Sequence, residues 1–268
     1  YNYHNNNSDV YASFIDIRKA FDSVDHDILM NKLLESGIPG PFVSTVRHWY
    51  NNQYVNVKYA NHTSDEWLIT NGVRQGGVLS GLFFNLYINS LIVKINDCSY
   101  GCKLGIFKSN IIAYADDIVL LAPSSSGLQI LINKAVEESK DIKLNFNNSK
   151  SKWMLFNSPK SKSNEVSDMI IDNEPIEKVN SFKYLGYVIR SDLSNIDDIQ
   201  RALRKFYSDF NGMLRKFSFA SLEVKLYLFK YFCLQMYGAD LWIGNRGSLG
   251  ILNQFAIGYH KAIKKMLG

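Results

Sequence analysis

Thiols are scarce in this chain of 268 residues: Cys98, Cys102 and Cys233 are all there are. An odd count gives no disulfide framework, and neither Cys98 nor Cys102 has the neighbouring histidine or second cysteine pair that a zinc site needs. Such usage suits a reducing, intracellular compartment. No apolar run approaches the length that spans a bilayer, and no basic segment leads into the apolar stretch of a secretion signal. Asn61-His62-Thr63 fits a glycosylation pattern, but without secretion it is a chance match. Extremes of composition are missing too. With 46% hydrophobic and 21% charged residues, the chain is an ordinary globular one, long enough for one large domain or two modest ones. No internal repeat is evident.

Charge is modest in total, at +5, and uneven in place. Residues 1–130 hold 9 Lys or Arg against 11 Asp or Glu, residues 131–200 hold 10 against 11, and residues 201–268 hold 11 against 3. The basic excess sits in the last quarter, as expected if that part touches an acidic polymer.

What the chain does have begins with residues 110–121. Apolar runs rich in Ile, Val and Leu flank two adjacent carboxylates, which predicts a hairpin of buried strands with Asp116 and Asp117 at its turn. Neighbouring carboxylates repel, and a half-buried pair is costly unless a cation sits beside it. Oxygen ligands favour Mg²⁺ or Mn²⁺. Asp is also an ordinary turn residue, so the dipeptide alone leaves a plain polar turn open.

Residues 1–9 are polar and Asn-rich and are expected to fray. Residues 10–17 read as a strand ending in Asp16, followed by a turn and a helix over 28–36 that Gly37 ends. A second helix is predicted near 41–51, with Phe42, Val46 and Trp49 on one face. Residues 54–59 and 66–70 suggest a hairpin, and a Gly-rich loop over 73–81 feeds an apolar helix from 82 to about 95. Further on, 127–141 is amphipathic, 153–156 is a short strand, 158–164 a polar loop, and 170–171 and 182–189 are strands.

From about Ser194 the pattern turns helical, with Ser194 or Asn195 available as a cap and Asp197 and Asp198 in the first turn. Ile199, Leu203, Phe206, Phe210 and Met213 fall near one direction, and Arg201, Arg204, Lys205, Arg215 and Lys216 cluster opposite. Such a helix can pack on a core while tracking a phosphate backbone; a merely solvated face is the alternative. Residues 222–237 are apolar nearly all round and predict a buried helix.

The ordered motifs carry a resemblance. Phe14-Ile15-Asp16 with Ala20-Phe21-Asp22, then Arg74-Gln75-Gly76-Gly77-Val78-Leu79-Ser80, then Tyr114-Ala115-Asp116-Asp117 resemble the palm motifs of reverse transcriptases. Residues 147–152, Phe182-Lys183-Tyr184-Leu185-Gly186 and Tyr237-Gly238-Ala239-Asp240-Leu241-Trp242 are similar to non-LTR (LINE-type) retrotransposon enzymes, so the resemblance spans nearly the whole chain. It implies an α+β fold: a right-hand polymerase palm, with a ferredoxin-like antiparallel sheet and helices, over 1–190. A partial fingers insertion would lie at about 27–72 and an α-helical thumb over 191–268. The implied activity is DNA synthesis directed by an RNA template, with a DNA primer, deoxynucleoside triphosphates and two Mg²⁺ ions, for which Mn²⁺ could substitute. No membrane partner is expected.

Asp16, Asp116 and Asp117 would meet if their strands are neighbours, and two cations about 3.5–4 Å apart can then stabilise the attacking and leaving oxygens together. By the resemblance, Phe21 is an aromatic gate beneath the sugar, and Gln75 and Gly76 lie near the template base and incoming nucleotide. Lys150 is the proton donor to pyrophosphate, with Lys152 close by. Phe182, Lys183, Tyr184, Leu185 and Gly186 form the primer grip. The plainer alternatives are a core Phe, a solvated Lys and a core strand. Gly77 stands where the family commonly has Ser, and Gly81 where it has Pro, which puts the loop's stiffness in question.

Nine residues precede Val10, where the family has an upstream fingers segment that clamps the triphosphate, and no endonuclease region appears. The chain is therefore expected to be a fragment that binds primer–template better than it extends it. Two other classes stay open: a degenerate relative that binds RNA or a protein without catalysis, and another palm-type two-metal enzyme such as a nucleotide cyclase. The intact Asp16, Asp116 and Asp117 argue against the first, and the Gln75-Gly76 loop with the basic stripe against the second.

Overall fold

The computed structural model describes residues 2–159, 168–242 and 249–267, which fall into two compact units, Tyr1–Val179 and Asn180–Gly268. In the first unit a one-turn helix, α1 (Asn2–Asn5), precedes β1 (Val10–Asp16), α2 (His26–Glu35) and α3 (Gly40–Asn51). Two nested hairpins follow, β2 (Tyr54–Val55) pairing with β5 (Trp67–Leu68) around β3 (Lys58–Tyr59) and β4 (His62–Thr63). Then come α4 (Ser80–Asp97), a small hairpin of β6 (Lys103–Leu104) and β7 (Phe107–Lys108), β8 (Ile111–Tyr114), β9 (Asp117–Ala122) and α5 (Ser125–Asp141). The unit closes with β10 (Lys152–Phe156), β11 (Met169–Ile171) and β12 (Glu174–Lys178).

Six of these strands make one sheet in the order β11-β12-β10-β1-β9-β8. The four from β10 to β8 are antiparallel, but β12 runs parallel to β10, so the expected antiparallel sheet is in fact mixed. One face of the sheet is built by alternation: Ile15 pairs with Ile118, and Leu120 with Ile111, and all four side chains point into the main core. Helices α4 and α5 cover that face with Phe83, Phe84, Tyr87, Ile88 and Leu91, and with Leu128, Leu131, Ile132 and Ala135. Fully burying each such side chain contributes about 1.5–3 kcal/mol, so these two helices fix the sheet beneath them.

Helix ends follow local chemistry. Asp25 caps α2 through Ile28 N–H, Ser124 caps α5 through Gly127 N–H, and Gly37, at φ +79°, ends α2. Two expectations need correcting. The start of the chain is not simply frayed: it forms α1, and the Tyr3 hydroxyl accepts from Lys103 N–H at 2.6 Å. Helix α3 buries Val43, Val46 and Tyr50, leaving Phe42 and Trp49 about half exposed, because the packed stripe lies one position away from the one predicted. The polar loop at 158–164 lies largely outside the described residues. On the outer strand β11, Ile170 N–H donates to Gln129 Oε1 and its carbonyl accepts from Gln129 Nε2, both at 2.8 Å.

The second unit holds a hairpin, β13 (Ser181–Tyr184) and β14 (Tyr187–Arg190), then α6 (Ile196–Lys216), α7 (Leu222–Leu228) and α8 (Leu249–Leu267). Its boundary at Val179 assigns this hairpin to the second unit, about ten residues before the expected division at 190. Helix α6 buries Ile199, Phe206, Phe210 and Met213 against α8 and the π-helical turn Phe229–Cys233, as the seam predicts. Of the two proposed caps, Ser194 accepts from Ile196 N–H at 3.3 Å at the start of α6, and Asn195 makes no side-chain cap bond. The Asn195 side chain instead accepts from the Tyr187 hydroxyl and donates to Leu241 carbonyl. The expected buried helix at 222–237 is overturned: α7 and its π-helical extension bury only Phe229 and Cys233 and leave Tyr227, Tyr231 and Phe232 exposed. Burial on all sides needs packed neighbours all round, and α7 has them on one side.

At the middle of this unit Asp198 is fully buried. Its carboxylate accepts from Trp242 Nε1 at 2.9 Å, Val188 N–H at 3.1 Å and Arg201 Nε at 2.7 Å. Among the described residues no helix is long and apolar enough to cross a membrane.

Candidate active site

The strand register builds the site. Asp16 is the last residue of β1 and Asp117 the first of β9, and the two stand directly opposite each other. Tyr114 pairs with Asp117 on the other side, so the turn between β8 and β9 is Ala115-Asp116, and Asp117 is already on its strand. Ala115 sits at φ +52°, a left-handed conformation that an L side chain rarely takes. Loss of solvent, then repulsion from Asp116 and Asp16, pushes the Asp117 carboxyl above its usual range. The three carboxylates thus share one electrostatic neighbourhood.

A second segment is laced onto the end of β1. Asp16 N–H donates to the buried Ser151 Oγ at 3.1 Å, Asn147 N–H donates to Asp16 carbonyl at 2.8 Å, and Arg18 N–H donates to Asn145 carbonyl at 2.8 Å. These bonds bring Lys150 to the carboxylates. A cleft of about 580 Å³ opens there, and Asp16, Phe21, Gln75, Asp116 and Lys150 all line it. The two candidate lysines part company: Lys152 is paired with Glu177 at 2.8 Å, whereas Lys150 is exposed in the cleft. Phe21 is half-buried, its ring stacked on Phe84 with centroids 5.0 Å apart, and it is both core-packed and cleft-lining.

Gly76, at φ +78°, and Asp117, on its strand, adjoin these residues but do not line the cleft. The two glycine departures differ. A β-carbon at Gly77 would fall 2.6 Å from Ser80 Oγ and 3.1 Å from Arg74 carbonyl, whereas Gly81 faces open space. Sequence reasoning passed over Arg18, Lys19, Asn145 and Asn147, which also line the cleft, and Ser151 beneath it. Asn147 and Ser151 fall within the 147–152 segment that carries the resemblance, whereas the only signal for Arg18, Lys19 and Asn145 was nearness in sequence to Asp16 and to that segment.

Among the described residues no three His, Cys, Asp or Glu side chains close into a finished metal cage. The donor set still suits a hard cation: Mg²⁺ is usually held by one or two carboxylates, with waters and substrate phosphates completing the shell. Asp16, Asp116 and the destabilised Asp117 supply such carboxylates.

The remaining predicted residues lie in the second unit. Phe182, Lys183 and Tyr184 are on β13, and Leu185 and Gly186, at φ +46° and +81°, form its tight turn. Of the basic stripe on α6, Arg201 is tied to buried Asp198 and Lys205 to Asp209 at 2.9 Å. Arg204, Arg215 and Lys216 are exposed, with no acidic partner among the described residues.

Residues 1–189 match the family described as reverse transcriptase (RNA-dependent DNA polymerase), and the chain belongs to that family. Relatives similar to it come from transposable elements. The Pol polyprotein of the type-2 retrotransposable element R2DM of Drosophila melanogaster is 30% identical over 66% of this chain and 17% of its own length. The probable RNA-directed DNA polymerase from the transposon X-element, also of Drosophila melanogaster, is 27% identical over 85% of this chain and 25% of its own length. The chain thus spans a quarter or less of these two relatives. A solved telomerase from Candida tropicalis, in complex with a fragment of telomeric RNA, is similar in fold at a TM-score of 0.51 and 12% identity. That likeness covers 92% of this chain and 40% of the telomerase chain.

Proposed function

We propose that this chain is the polymerising part of a non-LTR retrotransposon reverse transcriptase, extending a DNA primer on an RNA template. The observation that carries the reading is the cleft, where Asp16, Phe21, Gln75, Asp116 and Lys150 converge from separate segments of the chain. In this reading residues 1–190 act as palm, 27–72 as partial fingers and 191–268 as thumb, within a cell. Asp16, Asp116 and Asp117 would hold two Mg²⁺ ions, or Mn²⁺ in their place, which supply positive charge beside the reacting phosphate. Phe21 excludes a 2′-hydroxyl, and Gln75 and Gly76 orient the incoming deoxynucleotide against the template. Lys150 gives a proton to the departing pyrophosphate, a contribution worth about 10²–10⁴-fold. The β13–β14 hairpin, Phe182 to Gly186, holds the primer end, and the exposed cations of α6 follow the duplex backbone.

Primer extension on an RNA template with Mg²⁺ and with Mn²⁺ tests this. Asp16→Ala and Asp116→Ala should abolish extension with the circular dichroism spectrum unchanged. Normal extension by Asp116→Ala protein would remove the assignment.

A further inference from the structure

Residues 71–73 lie as a strap between two walls of the cleft. On one side they back the turn that carries Phe21. Gly72 N–H donates to Val24 carbonyl at 2.7 Å, Val73 N–H donates to Phe21 carbonyl at 2.8 Å, and Asn71 bridges to Asp25. On the other side Val73, itself buried, leads within two residues to Gln75. The approach of strap and turn leaves a side chain little room. A β-carbon at Gly72 would stand 3.0 Å from Asp22 Cα and 3.1 Å from both Asp22 and Phe21 carbonyl oxygens, and Gly72 has φ +97°. All three neighbours are backbone atoms, which cannot swing aside. From behind, His26 Nε2 donates to Gly72 carbonyl at 2.8 Å, and its ring packs against Tyr50. The Phe21 ring is meanwhile fixed against Phe84. Ring and backbone of Phe21 are thus held by different parts of the chain, the ring by α4 and the backbone by the strap.

We propose that Gly72 and His26 are positioning residues for sugar selection, setting how far the Phe21 ring projects into the cleft relative to Gln75. The proposal rests on reading Phe21 as the sugar gate. Displacing such a ring by a fraction of an ångström changes the room for one hydroxyl, and discrimination by shape alone is sensitive to that distance.

The test is equilibrium binding of dATP and of ATP opposite a template uridine. It uses the full chain on an RNA template with a dideoxy-terminated primer, so no turnover is required. Gly72→Ala should narrow the preference for dATP about tenfold. His26→Phe should act in the same direction, while His26→Gln, which keeps a donor for Gly72 carbonyl, should restore it. Should Gly72→Ala fail to fold, the two His26 variants decide. Phe21→Val separates the layers. If it leaves the preference unchanged, or if the unaltered chain has none, the gate reading falls and the proposal with it. If it narrows the preference while folded Gly72→Ala and His26→Phe do not, the gate stands and the strap is overturned. Weaker binding of both nucleotides at an unchanged ratio likewise reduces Gly72 to a structural role.

Discussion

Asp25 serves two partners at the start of α2. Its carboxylate accepts from Ile28 N–H at 3.0 Å and from Lys143 Nζ at 2.6 Å, and the lysine holds its carboxyl below the usual range. Asp25→Ala should cost about 0.5–2 kcal/mol in urea unfolding at neutral pH. A carboxyl with a lowered folded pKa stabilises above its unfolded value and loses that contribution as pH falls through the folded one. The gap between variant and unaltered chain should therefore close below about pH 4, and a gap that persists there would assign the loss to packing instead. Tyr87 completes the same corner: fully buried, its hydroxyl donates to Ile142 carbonyl at 2.6 Å and accepts from Asp25 N–H at 3.2 Å. Burial pushes its phenol up to about 12. The sequence offers Tyr87 only as one more apolar residue of a helix, because its partners lie 55 and 62 positions away. Asp16 and Asp116 were legible at this scale through their flanking apolar runs. Ser151 and Asn147 were not, since their role depends on which backbone they meet.

The elements were legible where periodicity and burial agree. Strands β1 and β9 are buried apolar runs that pair with each other, and α5 buries the stripe its spacing predicts. Helix α7 failed because hydrophobicity alone does not say that a partner is present. Helix α6 divides its basic residues between two tasks, and this sets the expected salt dependence. With Arg201 and Lys205 paired internally, about three cations remain for phosphates, and log K should fall against log salt with a slope of about −2.7 on a duplex. Arg204→Ala should flatten that slope by about 1. Arg201→Ala should leave it nearly unchanged. Equal flattening by both substitutions, measured by fluorescence anisotropy, would show that Arg201 reaches the backbone after all.

At the scale of the molecule, division into two compact units predicts two unfolding transitions. Asp198→Ala strands Trp242 Nε1, Val188 N–H and the Arg201 guanidinium, a loss of about 3–5 kcal/mol for a broken buried pair. In calorimetry it should lower one transition and leave the other in place, while Asp25→Ala moves the other; a single shared shift would mean one cooperative fold. The family was legible at this scale because its motifs keep their order along the chain. The cleft itself was not, since only the sheet order brings a strand near residue 16 beside one near residue 117. Gln129 has a different consequence. By meeting both outward backbone groups of Ile170, its carboxamide presents the rim of the sheet as though a further strand were already in place. Neighbouring molecules in a concentrated solution therefore find less to zip onto, and solubility depends on a residue remote from the chemistry. Light scattering of Gln129→Leu protein should rise with concentration well before that of the unaltered chain; matching curves would mean that the rim is guarded by other means.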